Sequence, residues 1–195
     1  AGIKSIGEGS SSLFIRGGNY DQNLILIDDA PVYNISHLFG FVSMFNPDVV
    51  RSVKVYKGVM PANYGGKLAS VIDVKQNGGN NNMLTLAGGI NVFGARATVQ
   101  GPIKSEQSSF LVSLRGSSWH LFANPKDYAF VPRFHDVNMK FKQRFKNNAR
   151  ATIGFYKGGD KLISEGGMEN SWGNQIISAK YYKAIAPGLF ANISI

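Results

Sequence analysis

Residues 137–146 alternate so strictly that they constrain the fold more than any other part of the chain. Val137, Met139, Phe141 and Phe145 share one parity, with polar Gln143 as the exception, while Asn138, Lys140, Lys142, Arg144 and Lys146 share the other. A period of two sends the two sets to opposite faces of a strand, one apolar and one basic. The pattern recurs in 149–156, where Ala149, Ala151, Ile153 and Phe155 oppose Arg150, Thr152, Gly154 and Tyr156. It recurs again in 110–117, where Phe110, Val112 and Leu114 oppose Leu111, Ser113, Arg115 and Ser117. Residues 174–183 alternate less cleanly. From Met83 onward this predicts about seven antiparallel strands.

The connections alternate in length. Residues 101–106, 146–148 and 186–188 read as tight turns and 88–94 as a short loop, whereas 119–133 and 157–171 read as long and irregular. Short turns at one end and long loops at the other are the pattern of an outer-membrane barrel, with the short turns toward the periplasm. Periodicity alone also fits a soluble antiparallel sandwich with one buried and one wet face. Strands of about ten to twelve residues exceed the usual five or six of globular sheets and favour the barrel.

Composition narrows the function classes. Charged residues make up 17% of the chain and hydrophobic ones 44%, with 23 glycines, which suits a turn-rich β protein. No apolar stretch of about 18 residues is present for a membrane helix, although barrel strands leave a weaker trace. There is no cysteine, hence no disulfide and no thiolate metal site. His37, His120 and His135 lack metal-ligand spacing. Gly66-Lys67 resembles no phosphate loop, because Pro61 and Leu68 stand where glycine and Ser or Thr belong. No Ser/His/Asp order is readable, so neither an enzyme nor a cofactor is expected. The net charge of +9 raises the possibility of nucleic acid, but the aromatics fall opposite the basic row instead of interleaving with it as stacking platforms. In a barrel the row Lys140, Lys142, Arg144, Lys146 faces inward, toward acidic plug and barrel residues that balance it, which is the favoured reading, or toward an anionic solute. The N-terminus carries no charged head leading into an apolar run, and the chain stops inside an alternating segment. Sequence beyond both ends is therefore expected.

The first part of the chain follows another plan. Leu13-Phe14-Ile15-Arg16-Gly17-Gly18 is a short strand entering a glycine turn, and Leu24-Ile25-Leu26-Ile27 is a continuous apolar run suited to a strand buried on both faces. Asp28-Asp29-Ala30-Pro31-Val32-Tyr33 follows, then a long aromatic loop to Phe45 and Asn46-Pro47-Asp48, which can start a helical turn. Val53-Lys54-Val55-Tyr56-Lys57-Gly58 and 69–74 supply further strands, and the polar run 77–82 is the best boundary. In order and spacing this block resembles the plug domain of TonB-dependent outer-membrane receptors, and residues 33–41 most resemble receptors of Bacteroidetes-type bacteria.

The resemblance implies a membrane β protein: a plug domain (mixed α+β with a small sheet) over 1–78, then antiparallel transmembrane β-barrel strands over 79–195, a partial barrel where the family has about 22 strands. It implies plug-gated active transport of a nutrient such as a siderophore, oligosaccharide or peptide across the outer membrane of a Gram-negative bacterium. Implied partners are a TonB-type inner-membrane motor, outer-membrane lipid, the small nutrient and a surface lipoprotein, and no nucleic acid. The alternative is a non-transporting binding or scaffold module with the same fold. Arg16, in the Ile-Arg-Gly signature, and Lys57, just before a glycine, match the basic residues that lock plug to barrel. Asn19, Tyr20, Asp21, Asn34, His37, Phe39 and Phe41 match the substrate-facing plug loops. One departure stands out. The family usually has Asp-Gly where this chain has Asp28-Asp29; glycine suits a positive φ, which Asp tolerates better than most residues.

Overall fold

The computed structural model describes residues 3–5, 13–15, 22–57, 64, 70–118, 130–146, 148–164 and 168–195. The chain divides into two compact units, Ala1–Gln76 and Asn77–Ile195. In the first, β1 (Ile3–Ser5) pairs antiparallel with β2 (Leu13–Ile15). The principal sheet holds β3 (Asn23–Ile27), β4 (Ala30–Val32), β7 (Val50–Lys57) and β8 (Ser70–Gln76) in the order β4-β3-β8-β7, with β3 and β8 parallel and the other pairs antiparallel. β5 (Ser36–His37) and β6 (Val42–Ser43) make a small hairpin around a 3-10 turn, Leu38–Gly40.

The apolar run of β3 is buried as its composition requires. Ile25 meets Ile72 and Val74 of β8, and Ile35, Phe45 and Val50 pack on this cluster. Full burial of Ile25, Ile72 and Val74 contributes about 1.5–3 kcal/mol each. The β3–β4 hairpin has a two-residue turn, since Ile27 pairs with Ala30, and both Asp28 (φ 50°) and Asp29 (φ 74°) are left-handed. A tight hairpin of this kind needs positive φ at both central positions, at roughly 1–2 kcal/mol for each non-glycine residue. The carboxylates offset that cost. Asp28 Oδ1 accepts from the Gln76 N–H (3.2 Å), its own N–H donates to Val74 O (2.9 Å), and Asp29 is ion-paired with Lys75. The departure from Asp-Gly thus keeps the turn and adds a tie to β8.

The second unit is one antiparallel meander of β9 (Thr85–Ile90), β10 (Ala95–Lys104), β11 (Ser108–Gly116), β12 (Phe130–Arg144), β13 (Arg150–Ser164), β14 (Glu169–Ala186) and β15 (Leu189–Ser194), every strand paired with its neighbour in sequence. β9 and β15 are the two edges, so the barrel is not closed. No helix among the described residues is long and apolar enough to cross a membrane.

One expected loop, 157–171, proves to be largely strand, and another, 119–133, ends in strand. Residues 157–164 continue β13 and 169–171 open β14, leaving only 165–168 as connection; β12 begins at Phe130, inside the expected 119–133 loop. Gly158 and Gly159 carry no side chain by which parity could be read, yet Gly158 pairs with Asp136 and Asn174 in the ladder. Pro132 likewise sits in β12, opposite Leu162. The expected turn at 101–106 lies slightly later, at 105–107, with Glu106 at φ 60°.

Candidate functional site

The faces of the meander are inverted relative to a water-soluble sheet. In β12, Phe134, Asp136, Asn138 and Lys140 are buried, while Met139 (45%) and Phe141 (37%) are exposed. Leu114, Ile153, Ile177 and Ile193 are each more than half exposed. In water each of these forgoes about 1.5–3 kcal/mol of burial, and a patch of this extent signals a non-aqueous partner. From Phe145 to Val137 the outer face runs eight residues, roughly 27 Å along the strand; tilted by about 40°, that approaches the apolar band of about 25 Å in outer-membrane barrels. A soluble sandwich would bury the apolar face, and here the buried face is the polar one.

That buried face is hydrogen-bonded across strands. Thr98 and Ser113 hydroxyls lie 2.6 Å apart, Arg115 Nε donates to Asp136 Oδ2 at 2.6 Å, and Tyr156 Oη donates to Asp136 Oδ1 at 2.7 Å. The Arg115 guanidinium also lies 5.5 Å from the centroid of the Phe134 ring. Gly158 makes the arrangement possible, because a Cβ there would overlap the Tyr156 hydroxyl. Both oxygens of Asp136 are engaged, which keeps a buried charge from standing alone. Each residue of this network falls on the polar face of its own strand, but the pairing across strands depends on register. Among the described residues, no three His, Asp or Glu side chains group as a metal site.

In the first unit, residues 30–47 contain no Asp, Glu, Lys or Arg. Leu38 (φ 51°), Phe39 (φ 58°) and Gly40 (φ 105°) are consecutively left-handed, a strained tip. Leu38 and Met44 anchor it inside, at 7% and 1% exposure, and Met44 N–H donates to Ile35 O at 2.9 Å. The tip thereby presents Phe39 (68%) and Phe41 (66%), with Tyr33 exposed at the entrance to the hairpin. Asn34 is half-buried and its Oδ1 accepts from Ser36 N–H at 3.4 Å; His37 is buried on the same hairpin. Lys57 closes β7, half-buried and opposite Ser70. Arg16, Asn19, Tyr20 and Asp21 lie outside the described residues.

A second feature escaped the sequence. Lys75 binds Asp29 and stands 3.0 Å from Asp73 Oδ1, while Tyr64 Oη donates to Asp73 Oδ2 at 3.4 Å. Burial pulls the Lys75 pKa down, but the two carboxylates outweigh it and hold the pKa above the ordinary lysine value. The alternation rules say nothing about such a tie, since Asp29 is distant in sequence and lies in a turn.

Comparison with known proteins agrees with this architecture. Residues 2–72 match the family model of the TonB-dependent receptor plug domain. The fold is similar to structures of the ferric enterobactin receptor PfeA of Pseudomonas aeruginosa. A mutant in complex with enterobactin has 16% identity and a TM-score of 0.59 over 93% of this chain and 35% of that one. Two further mutants have 16% and 17% identity, each with a TM-score of 0.60, over 94% and 93% of this chain and 34% of theirs. The chain thus spans about a third of the length of these receptors, and at such identity the likeness concerns the fold. No sequence relative is found among curated proteins. Residues 2–72 thus match a TonB-dependent receptor plug domain, and the mixed plug sheet with the polarity-inverted meander shares the fold of these receptors, a plug domain followed by antiparallel barrel strands.

Proposed function

We propose that this chain is part of a transporter that carries a nutrient across the outer membrane of a Gram-negative bacterium, powered by a TonB-type inner-membrane motor and gated by the plug. The observation that carries this reading is the inverted meander following a plug sequence: a wall built for lipid outside and polar contacts inside. In this reading the solute meets Phe39 and Phe41, with Asn19, Tyr20, Asp21 and Asn34 supplying polar contacts. His37, being buried, supports the hairpin from within. Arg16 and Lys57 hold the plug by pairing with barrel carboxylates. Exposed rings on a hairpin that itself carries no charge, with polar groups beside them, suit solutes with apolar faces, whether chelates, oligosaccharides or peptides. The structural neighbours are ferric enterobactin receptors, which supports a siderophore as one member of that list. A surface lipoprotein is a further candidate partner.

Uptake by cells that carry the full-length protein tests the reading. Labelled ferric chelates, oligosaccharides and peptides are offered with and without a functional motor. At least one solute should accumulate only with the motor present, and Phe39→Ala with Phe41→Ala should weaken its capture about tenfold, as expected for losing stacking area. Binding at the surface with no motor-dependent accumulation would favour the scaffold alternative.

A further inference from the structure

Cross-strand partners share a face, so the outer surface of β11 to β14 can be read in rows. Phe110, Phe141, Ile153 and Ala179 form one row, and Val112, Met139, Phe155 and Ile177 the next. Leu114, Val137, Lys157 and Gln175 follow, then Gly116, His135, Gly159 and Gly173, then Arg133, Lys161 and Ser171. The face changes from wholly apolar to cationic over about 7 Å, one step of two residues. The change falls toward the end away from the tight turns at 105–107 and 187–188, which is the outer end in barrels of this kind.

Arg133, His135 and Lys157 are exposed there. Lys161 is paired with Glu169 at 2.6 Å, but neither Arg133 nor Lys157 has a carboxylate partner among the described residues. The glycine row keeps the surface low, and His135 lies across it: a Cβ on Gly159 would stand 2.9 Å from His135 Cε1. Beside this row is a recess of about 700 Å³ whose lining includes Ile90, Ala95, Ala97, Leu114, Val137 and His135. Its alanines and Gly116 leave a low floor between bulkier apolar walls.

Cations at the upper edge of an apolar band, next to an apolar recess, match an amphiphile with an anionic head. A free anion would use the cations and have no need of the recess. We propose that Arg133, His135 and Lys157 bind the phosphate of an outer-leaflet lipid whose acyl chain lies in the adjoining recess. Guanidinium and phosphate make paired, charge-assisted hydrogen bonds, and a lipid is held in place by its buried chain. This rests on the outer-membrane reading given above.

The test uses the full-length protein in detergent, with native mass spectrometry reading bound lipid. Lipid A bearing its phosphates, lipid A stripped of them and inorganic phosphate serve as probes. Phosphorylated lipid A should be retained over the stripped form, and inorganic phosphate should not displace it. Each basic residue at a headgroup surface strengthens such binding roughly fivefold, so Arg133→Gln with Lys157→Gln should lower affinity for phosphorylated lipid A about 25-fold. The same change at the opposite end, Lys104→Gln with Arg150→Gln, should leave it unaltered. Equal retention of the two lipid forms, displacement by inorganic phosphate, or equal loss in both double variants would overturn the proposal while leaving the membrane reading intact. A full-length protein that is monodisperse without detergent would overturn the membrane reading and this proposal with it.

Discussion

In β8 of the plug unit, Val71, Ile72 and Val74 are buried to 3% exposure or less, whereas in β12 of the meander Met139 and Phe141 are exposed and Asn138 and Lys140 are buried. Both regions are β-sheets made from the same residue classes. The plug sheet gathers aliphatic side chains around Ile25, leaves Arg51 and Lys54 of β7 exposed, and pairs its buried Asp73 with Lys75, as an aqueous protein does. The meander turns its aliphatic side chains out and satisfies its polar ones within, as a wall in lipid must. The difference teaches that alternation defines two faces without saying which is the buried one. Only the identity of the solvent does that.

The largest expected effect breaks the inner face. Asp136→Leu leaves the Arg115 guanidinium buried without its carboxylate, at a cost of about 4 kcal/mol. It should show as a loss of heat-modifiable folded barrel on gels of the full-length protein. A stability within 1 kcal/mol of wild type would mean that water reaches this network. Next, Met139→Arg places a charge on the outer face within the apolar band and should cost about 3 kcal/mol in a bilayer. On a water-exposed face the same substitution stays within about 0.5 kcal/mol, so urea unfolding in lipid vesicles separates the two solvents directly.

The smallest effect sharpens the plug side of the comparison. Lys75→Met leaves Asp29 and Asp73 without their ammonium; because Lys75 is 29% exposed, the expected loss is about 2 kcal/mol, below that of a fully buried pair. The Lys75 pKa is raised on folding, so its contribution is complete below the unfolded lysine pKa of about 10.4 and fades as pH rises through the folded value. Thermal unfolding in detergent should therefore show a constant gap between wild type and variant from pH 6 to 9 that narrows above about pH 10.4. A gap that closes on the acid side of neutrality instead would assign the effect to a carboxylate.

Parity in 137–146 and 149–156 was legible because all but Gly154 carry a side chain that declares its face. It stopped being legible at Gly158-Gly159 and at Pro132, and those strands run on through both places. The glycine that hid the strand is the one that admits the Tyr156 hydroxyl beside Asp136. Sequence also anticipated that the turn at Asp28-Asp29 calls for positive φ, since backbone sterics are local.

By itself, then, the sequence determined what depends on near neighbours: strand periodicity, the apolar and polar faces, the tight turns and the plug signature. Tertiary structure alone decided what depends on register and enclosure. It brought Arg115, Asp136 and Tyr156 together from three strands, tied Asp29 to Lys75, and buried His37 while exposing Phe39 and Phe41 on one hairpin. It also set Lys157, His135 and Arg133 in successive rows at one edge of the apolar face. The physical reason is that a two-residue period fixes the direction of each side chain relative to its own strand, whereas the partner opposite is set by the connections and the ladder, which join residues far apart in the chain.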